Sequence, residues 1–261
     1  QPRGFYRAVT TLVLYHDLTG MGWSALERVL EAPIKVAHSS LGHNAKVIRK
    51  TLNSWALDII TPGSFQDWKT AARHAAFDAK VADVTLAIDS FNIPIQRKGR
   101  LRGRKSEYWS GKLIRPGWRY MLIIDASGQV RYCSAGYSPK IFDGYWLQTR
   151  RDDIERQFKD GVFVADQHFR VGEKFEDVKF HIPTSKKRTT KEDDIDPDME
   201  RLTEVEKQRN KAIHRARARV ETTIHSIKAP WKILKEPWAT DLNQLSYLIH
   251  IAAAVHNDCM K

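Results

Sequence analysis

The sequence predicts a mixed α/β protein, in which helices flank a sheet and a helical region precedes it. Residues 1–80 carry apolar side chains at helical spacing, whereas short apolar runs typical of strands begin at Val84. A helical segment also lies between two of the strand candidates, which indicates a crossover and a partly parallel sheet. The 261 residues suffice for one large domain or for a medium and a small one, and we place the boundary near residue 80, giving regions 1–80 and 81–261.

The N-terminal region is predicted to consist of helices over residues 5–18, 23–30, about 40–59 and 65–81. A short helix, a turn and a longer basic helix resemble a helix-turn-helix, although an ordinary helical bundle would give the same pattern. If the region binds DNA, the contacts are expected from three residues of the longer helix: Lys46, Arg49 and Lys50.

The sheet is predicted from four apolar runs. The first is Val84–Asp89, and the next two, Trp118–Asp125 and Gln129–Ala135, are joined by a hairpin turn at residues 125–128. A helix over residues 142–158 then leads to the run Val162–Ala165. Because this run is apolar at every position, we expect it to be a central, parallel strand.

The C-terminal third is predicted to hold two helices. Residues 172–202 are polar and mixed in charge, which predicts a mobile loop or a small insertion. A long helix follows over residues 202–229 and ends before Pro230. A last apolar helix over residues 242–255 is expected to pack against the N-terminal helices.

Charge and cysteine content restrict the possible functions. A formal net charge of +12 and a pI near 9.7 predict an anionic partner, which can be nucleic acid, a membrane surface or another polyanion. Cys133 and Cys259 stand too far apart in sequence for a structural zinc motif and predict free thiols in a reducing, intracellular compartment. We find neither a signal peptide nor an apolar run long enough to cross a bilayer, and the start at Gln1 suggests a fragment or a processed form.

Three carboxylates are the candidate catalytic residues. Asp89 and Asp166 each follow an apolar strand run, and Glu221 lies within the long helix. Two carboxylates on strands and one on a helix can hold two divalent cations about 4 Å apart, an arrangement that supports in-line phosphodiester chemistry. A strongly basic chain around an acidic centre is what a nucleic acid substrate requires.

The helix that carries Glu221 has one polar and one apolar face. His214, Arg217, Glu221 and Lys228 share a narrow arc, and an isoleucine and valine stripe lies beside it. A solvated charge face would give the same pattern. However, Glu221 is the only acidic residue from Lys207 to Lys235, and such a lone carboxylate should stay ionised and able to bind a metal.

These motifs resemble those of DDE-class transposases. The spacing His214-x-x-Arg217-x-x-x-Glu221-x6-Lys228 is similar to the Tyr-x-x-Arg-x-x-x-Glu-x6-Lys signature of bacterial insertion-sequence transposases, with histidine in place of tyrosine. Ala87–Ile95 resembles the first-aspartate motif of PIF/Harbinger and related insertion-sequence transposases, and Phe163–Phe169 resembles the second-aspartate motif. The motifs occur in the same order as in these transposases and cover roughly residues 84–235. The resemblance implies an RNase H-like fold, a DDE triad of Asp89, Asp166 and Glu221, and an N-terminal DNA-binding region.

We therefore expect a DNA transposase that uses Mg²⁺, with Mn²⁺ able to substitute, to hydrolyse phosphodiesters at element ends and to transfer strands from a 3′-hydroxyl. The alternatives are a transposase-derived DNA-binding protein without cleavage activity and an RNase H-like nuclease without strand transfer. Expected partners are double-stranded DNA and further copies of the chain, in the nucleoid or cytoplasm of a bacterium or the nucleus of a eukaryote. Phosphate contacts are expected from basic residues near the triad: Arg97, Lys98, Arg100, Arg102, Arg104, Lys105, Lys112, His214, Arg217 and Lys228.

Overall fold

A computed structural model describes residues 13–14, 16–19, 38–74, 83–96, 106–185, 202–238 and 241–260. The described residues form a mixed sheet with the strand order β2–β3–β1–β5–β6, and β4 pairs with β3. The strands are β1 Leu86–Pro94, β2 Trp109–Ser110, β3 Arg115–Asp125, β4 Val130–Cys133, β5 Val162–Val164 and β6 Lys179–His181.

The central strands have the predicted directions. β1 is antiparallel to β3 along its whole length and parallel to β5, and β5 is parallel to β6. The turn between β3 and β4 forms where it is predicted: the Asp125 carboxylate accepts hydrogen bonds from the backbone N–H groups of Ser127 and Gln129. Gly128 takes a φ of +96° in this turn, a conformation that favours glycine.

Helices cover both faces of the sheet. The described helices are α1 His38–Ile59, α2 Phe65–His74, α3 Asp143–Thr149, α4 Arg151–Gln157, α5 Glu204–Lys228 and α6 Leu242–Cys259, with 3₁₀ turns at Gln167–Lys174 and Lys232–Leu234. Ala87 and Phe91 of β1 belong to the core formed with α1, α5 and α6, whereas Leu86 and Ile88 belong to the core formed with α2, α3 and α4. The alternation of side chains along a strand thus builds a three-layer α/β/α arrangement.

Three elements differ from their predicted bounds. β1 continues to Pro94, so that Asp89 lies within the strand rather than at its end, because Phe91 and Ile93 are buried as well. The helix predicted over 142–158 is divided at Arg150 into α3 and α4. In place of the expected loop, residues 172–185 contain β6, whose Phe180 ring stacks on Phe163 at a centroid distance of 4.8 Å.

The long helix α5 and the last helix α6 form as predicted. Thr203 and Glu206 build a reciprocal capping box at the start of α5, a signal that the sequence carries but that our prediction did not use. The predicted packing of α6 against the N-terminal helices is confirmed, since Nδ1 of His250 lies 2.7 Å from Oδ1 of Asn53 in α1. The helix predicted over residues 23–30 and the chain segment 186–201 lie outside the described residues.

The cysteines are free, with Cys133 buried and Cys259 exposed. Burial raises the pKa of the Cys133 thiol to about 12, which makes it unreactive at neutral pH. Within the ranges that the structure describes, no helix combines the length and the apolar character needed to span a membrane.

Candidate active site

Strand register brings the two aspartates together. Leu86 pairs with Phe163 and Ala87 with Val164 in the parallel ladder between β1 and β5. The same register, continued by two residues, places Asp166 beside Asp89. The alternation of side chains directs both toward the face of the sheet that α5 covers.

Each aspartate has one oxygen fixed by the backbone. The N–H of Ser90 donates a hydrogen bond to Oδ1 of Asp89 at 2.7 Å, and the N–H of His168 donates one to Oδ1 of Asp166 at 2.8 Å. The second oxygen of each carboxylate, Oδ2, faces the space below α5. These bonds orient the carboxylates without occupying the oxygens that face this space.

Helix α5 contributes the third carboxylate and a guanidinium group. Arg217 and Glu221 stand one turn apart, so that they lie on the same side of the helix. Nη2 of Arg217 lies 3.4 Å from Oδ2 of Asp89 and 3.8 Å from Oδ2 of Asp166. The same nitrogen lies 3.7 Å from Oε1 of Glu221. The three predicted carboxylates therefore converge on one point, with the nitrogen of Arg217 at its centre.

The site is closed at one end and open at the other. The exposed fraction of the side chain is 11% for Asp89, 26% for Asp166 and 62% for Glu221. Burial raises the pKa of the Asp89 carboxyl above its ordinary value, with a smaller contribution from the negative charge of Asp166. The positive charges of Arg217 and Lys112 and the hydrogen bond from Ser90 oppose this rise. The centre is therefore exposed to solvent at Glu221.

Two lysines add positive charge beside the carboxylates. Lys112 is exposed in the connection between β2 and β3, close enough for its charge to act on both Asp89 and Lys228. Lys228 ends α5 and is half-buried, with Nζ 5.9 Å from the centre of the Phe91 ring. Burial first, and then the charge of Lys112, lowers the pKa of Lys228. Both lysines belong to the set predicted to contact phosphates.

A buried polar network supports Asp89 from the other face of the sheet. The hydroxyl of Ser90 donates to Oδ2 of Asp143 at 2.9 Å, and Arg119 donates to Oδ1 of Asp143 at 3.1 Å. Arg119 also donates to the carbonyl oxygen of Ile141. Asp143 thereby fixes the start of α3 to β1 and β3. The sequence showed Asp143 only as an acidic residue in the first turn of a helix and gave no signal for its partner.

Other predicted DNA contacts lie apart from this centre. Lys46 and Lys50 are exposed on α1, and His214 is exposed on α5. The prediction for Arg49 is wrong, because its guanidinium is buried, pairs with the Asp17 carboxylate and lies over the Trp238 ring. Six further basic residues that were predicted to contact phosphates lie outside the described residues: Arg97, Lys98, Arg100, Arg102, Arg104 and Lys105.

A comparison with protein families agrees with this geometry. A family model described as DDE superfamily endonuclease matches residues 88–257, which include all three carboxylates and the lysines beside them. The chain belongs to this family. The match confirms the predicted family, and the mixed sheet flanked by helices confirms the RNase H-like fold expected of a DDE endonuclease. No curated protein and no solved structure matches the chain significantly.

The donor chemistry of this DDE endonuclease suits a divalent cation. Three carboxylates supply the hard oxygen ligands that Mg²⁺ and Mn²⁺ prefer. As the side chains stand, no three acidic, imidazole or thiol groups within the described ranges are spaced to hold a metal ion. The nitrogen of Arg217 lies between the carboxylates. The residues therefore fit the ion by their chemistry, whereas their present spacing accommodates a guanidinium group.

Proposed function

We propose that this DDE endonuclease is a DNA transposase that hydrolyses phosphodiester bonds at element ends and joins the freed 3′-hydroxyl to target DNA. The observation that carries the proposal is the convergence of Asp89, Asp166 and Glu221 on one point at the open edge of a basic domain. Family membership supports an endonuclease acting on DNA, and the proposal adds the metal dependence and the strand transfer.

In this proposal, Asp89, Asp166 and Glu221 would hold the divalent ions, Mg²⁺ or Mn²⁺. When bound there, such ions supply Lewis-acid stabilisation of the phosphoryl oxygens and a lowered pKa for the attacking oxygen. The protein contributes the alignment: the backbone bonds from Ser90 and His168 hold each aspartate with one oxygen directed at the centre. Because Glu221 is 62% exposed, the proposal has the DNA backbone approach the centre from that side.

The basic residues would hold the DNA strand across the acidic centre. Lys112 and Lys228 lie beside the carboxylates, and the sequence adds six basic residues between positions 97 and 105. Such contacts position the phosphates and carry little sequence information. In the proposal, recognition of element ends resides in the N-terminal region, and two copies of the chain act on paired ends.

Incubation of the full chain with supercoiled plasmid and Mn²⁺ or Mg²⁺ tests the proposal. We expect nicked and linear plasmid with either ion, whereas a chelator should leave the plasmid supercoiled. When a DNA fragment with a free 3′-hydroxyl is supplied, we expect products in which the fragment is joined to the plasmid. Cleavage without joined products would indicate a nuclease without strand transfer. Binding without cleavage in either ion would indicate a DNA-binding protein and would exclude the proposed chemistry.

Replacing Lys112 by glutamine should weaken DNA binding through loss of one phosphate contact. We expect the slope of log affinity against log salt concentration to fall by about 0.9 for double-stranded DNA. Fluorescence anisotropy over a range of KCl concentrations measures this slope. Lys159→Gln is a matched control. Lys159 is exposed in the connection after α4, and its replacement removes the same charge. Equal slopes for the two variants would exclude a phosphate contact at Lys112.

A further inference from the structure

The guanidinium of Arg217 is surrounded by acidic groups but is weakly hydrogen-bonded. Of its three carboxylate neighbours, only Asp89 lies within hydrogen-bond distance, at 3.4 Å. Arginine–carboxylate bonds with good geometry measure about 2.7–2.9 Å. Nε of Arg217 is buried and has no hydrogen-bond partner within the described part of the chain. Electrostatic attraction, rather than directed hydrogen bonding, therefore dominates its position.

The charges around Arg217 explain why a cation is needed at this point. Asp89 is largely buried, and Asp166 and Glu221 lie close to it around the same nitrogen. Carboxylates held this close together repel one another unless a positive charge lies between them. Lys112 contributes at a greater distance from an exposed position. Arg217 is thus the internal cation of the acidic centre.

We propose that Arg217 is a displaceable counter-ion, which occupies the centre of the carboxylates in the metal-free protein and leaves it when a divalent cation binds. The inference rests on the proposed function, because it takes Asp89, Asp166 and Glu221 as the ligands. The distances carry it: the nitrogen that lies within 4 Å of all three carboxylates occupies the space that a cation shared by them would need. The displaced guanidinium moves toward the open Glu221 side, where it can bind a DNA phosphate.

Competition between Arg217 and the metal has a measurable consequence. If the metal-competent arrangement is a minor conformation, the apparent association constant for the metal equals the intrinsic constant multiplied by the fraction of molecules in that conformation. Removal of the guanidinium should therefore strengthen metal binding, although it removes a residue from the acidic centre. A guanidinium that oriented the carboxylates for the metal would give the opposite change. A guanidinium that only lined the site would also oppose a nearby cation through its charge, so a measurement of its movement is needed as well.

The test compares Mn²⁺ binding by the full chain with that of Arg217→Gln, by calorimetry without DNA at neutral pH. We expect Arg217→Gln to bind Mn²⁺ about tenfold more tightly, which corresponds to a metal-competent fraction of about one tenth in the unchanged chain. Arg219→Gln is the matched control, since Arg219 is exposed on the same helix and its loss removes the same charge. Equal or weaker Mn²⁺ binding by Arg217→Gln would overturn the inference.

A second measurement follows the guanidinium of Arg217 in the unchanged chain. The Nε–H resonance of Arg217, identified by its loss in Arg217→Lys, should shift when Mg²⁺ is added to the unchanged chain, and in Asp166→Asn it should not shift. An unmoved resonance at saturating Mg²⁺ would overturn the inference and leave the proposed function intact. If neither the unchanged chain nor Arg217→Gln binds Mn²⁺, the proposed metal site and the inference both fail.

Discussion

Replacement of Asp89, Asp166 or Glu221 by the matching amide should abolish DNA cleavage and leave DNA binding largely intact. Each change removes one negative ligand from the centre and keeps the size of the side chain. We expect a fall in the cleavage rate of at least about 1,000-fold for each variant, because carboxylates that share metal ions act as a unit. Plasmid cleavage measures the rate, and anisotropy measures binding to the same DNA.

The burial of the replaced side chain should decide the stability of two of these variants, Glu221→Gln and Asp89→Asn. Glu221 is 62% exposed, so Glu221→Gln should unfold at nearly the same denaturant concentration as the unchanged chain. Asp89→Asn removes a buried charge whose pKa is already raised by burial, and the metal-free variant should be at least as stable as the unchanged chain above that pKa.

The sign of this stability effect follows from linkage. A carboxyl group with a raised pKa in the folded state binds more protons when folded, so its ionisation lowers stability as pH rises from the unfolded pKa to the folded one. Asp89→Asn removes that loss. The matched control for activity is Asp152→Asn, since Asp152 is exposed on α4. Cleavage near the unchanged rate by any variant of the triad would exclude that residue from the chemistry.

Much of the acidic centre could be predicted because local patterns determine it. Val162–Ala165 is apolar at every position, which predicts a central parallel strand, and a parallel neighbour of β1 brings the residue after the run beside Asp89. The helical period of α5 placed Arg217 and Glu221 on one side, as found. These predictions needed only the periodicity of side-chain directions along a strand or a helix and the order of the three carboxylates in the sequence.

The remaining features depend on contacts between distant segments, which no local pattern encodes. Arg49 was predicted to bind DNA because it belongs to a basic helix with Lys46 and Lys50, yet it faces inward to Asp17, a partner 32 residues away. The segment 172–185 is polar in composition, but alternate side chains such as Val178 and Phe180 are buried at the end of the sheet. The polar average composition of the segment concealed this short alternation of buried and exposed side chains.

Asp143 is the clearest case of such a distant contact, and its replacement by alanine should destabilise the fold strongly. The side chains of Asp143 and Arg119 are 11% and 16% exposed, and their nearest atoms lie 3.1 Å apart. Removal of one partner leaves the other charge buried without compensation, which typically costs about 3–5 kcal/mol. Urea unfolding of Asp143→Ala against the unchanged chain measures the difference.

An exposed ion pair provides the matched control. Asp153 pairs with Arg156 at 2.6 Å, but these side chains are 45% and 73% exposed. Asp153→Ala should therefore lower stability by only about 0–1 kcal/mol. A double variant, Asp143→Ala with Arg119→Met, should lose less than the sum of the two single variants, because each change removes the penalty that the other creates. Additive losses would show that the two residues are not coupled.

The same variant separates support of the fold from binding of the metal. Asp143 touches Ser90 on the face of β1 opposite to Asp89, so it should not be a ligand. Under conditions where Asp143→Ala is folded, its Mn²⁺ affinity should match that of the unchanged chain, whereas Asp89→Asn should lose Mn²⁺ binding. If Asp143→Ala lost Mn²⁺ binding while folded, the contact of Asp143 with Ser90, whose N–H holds Asp89, would be needed to position the acidic centre.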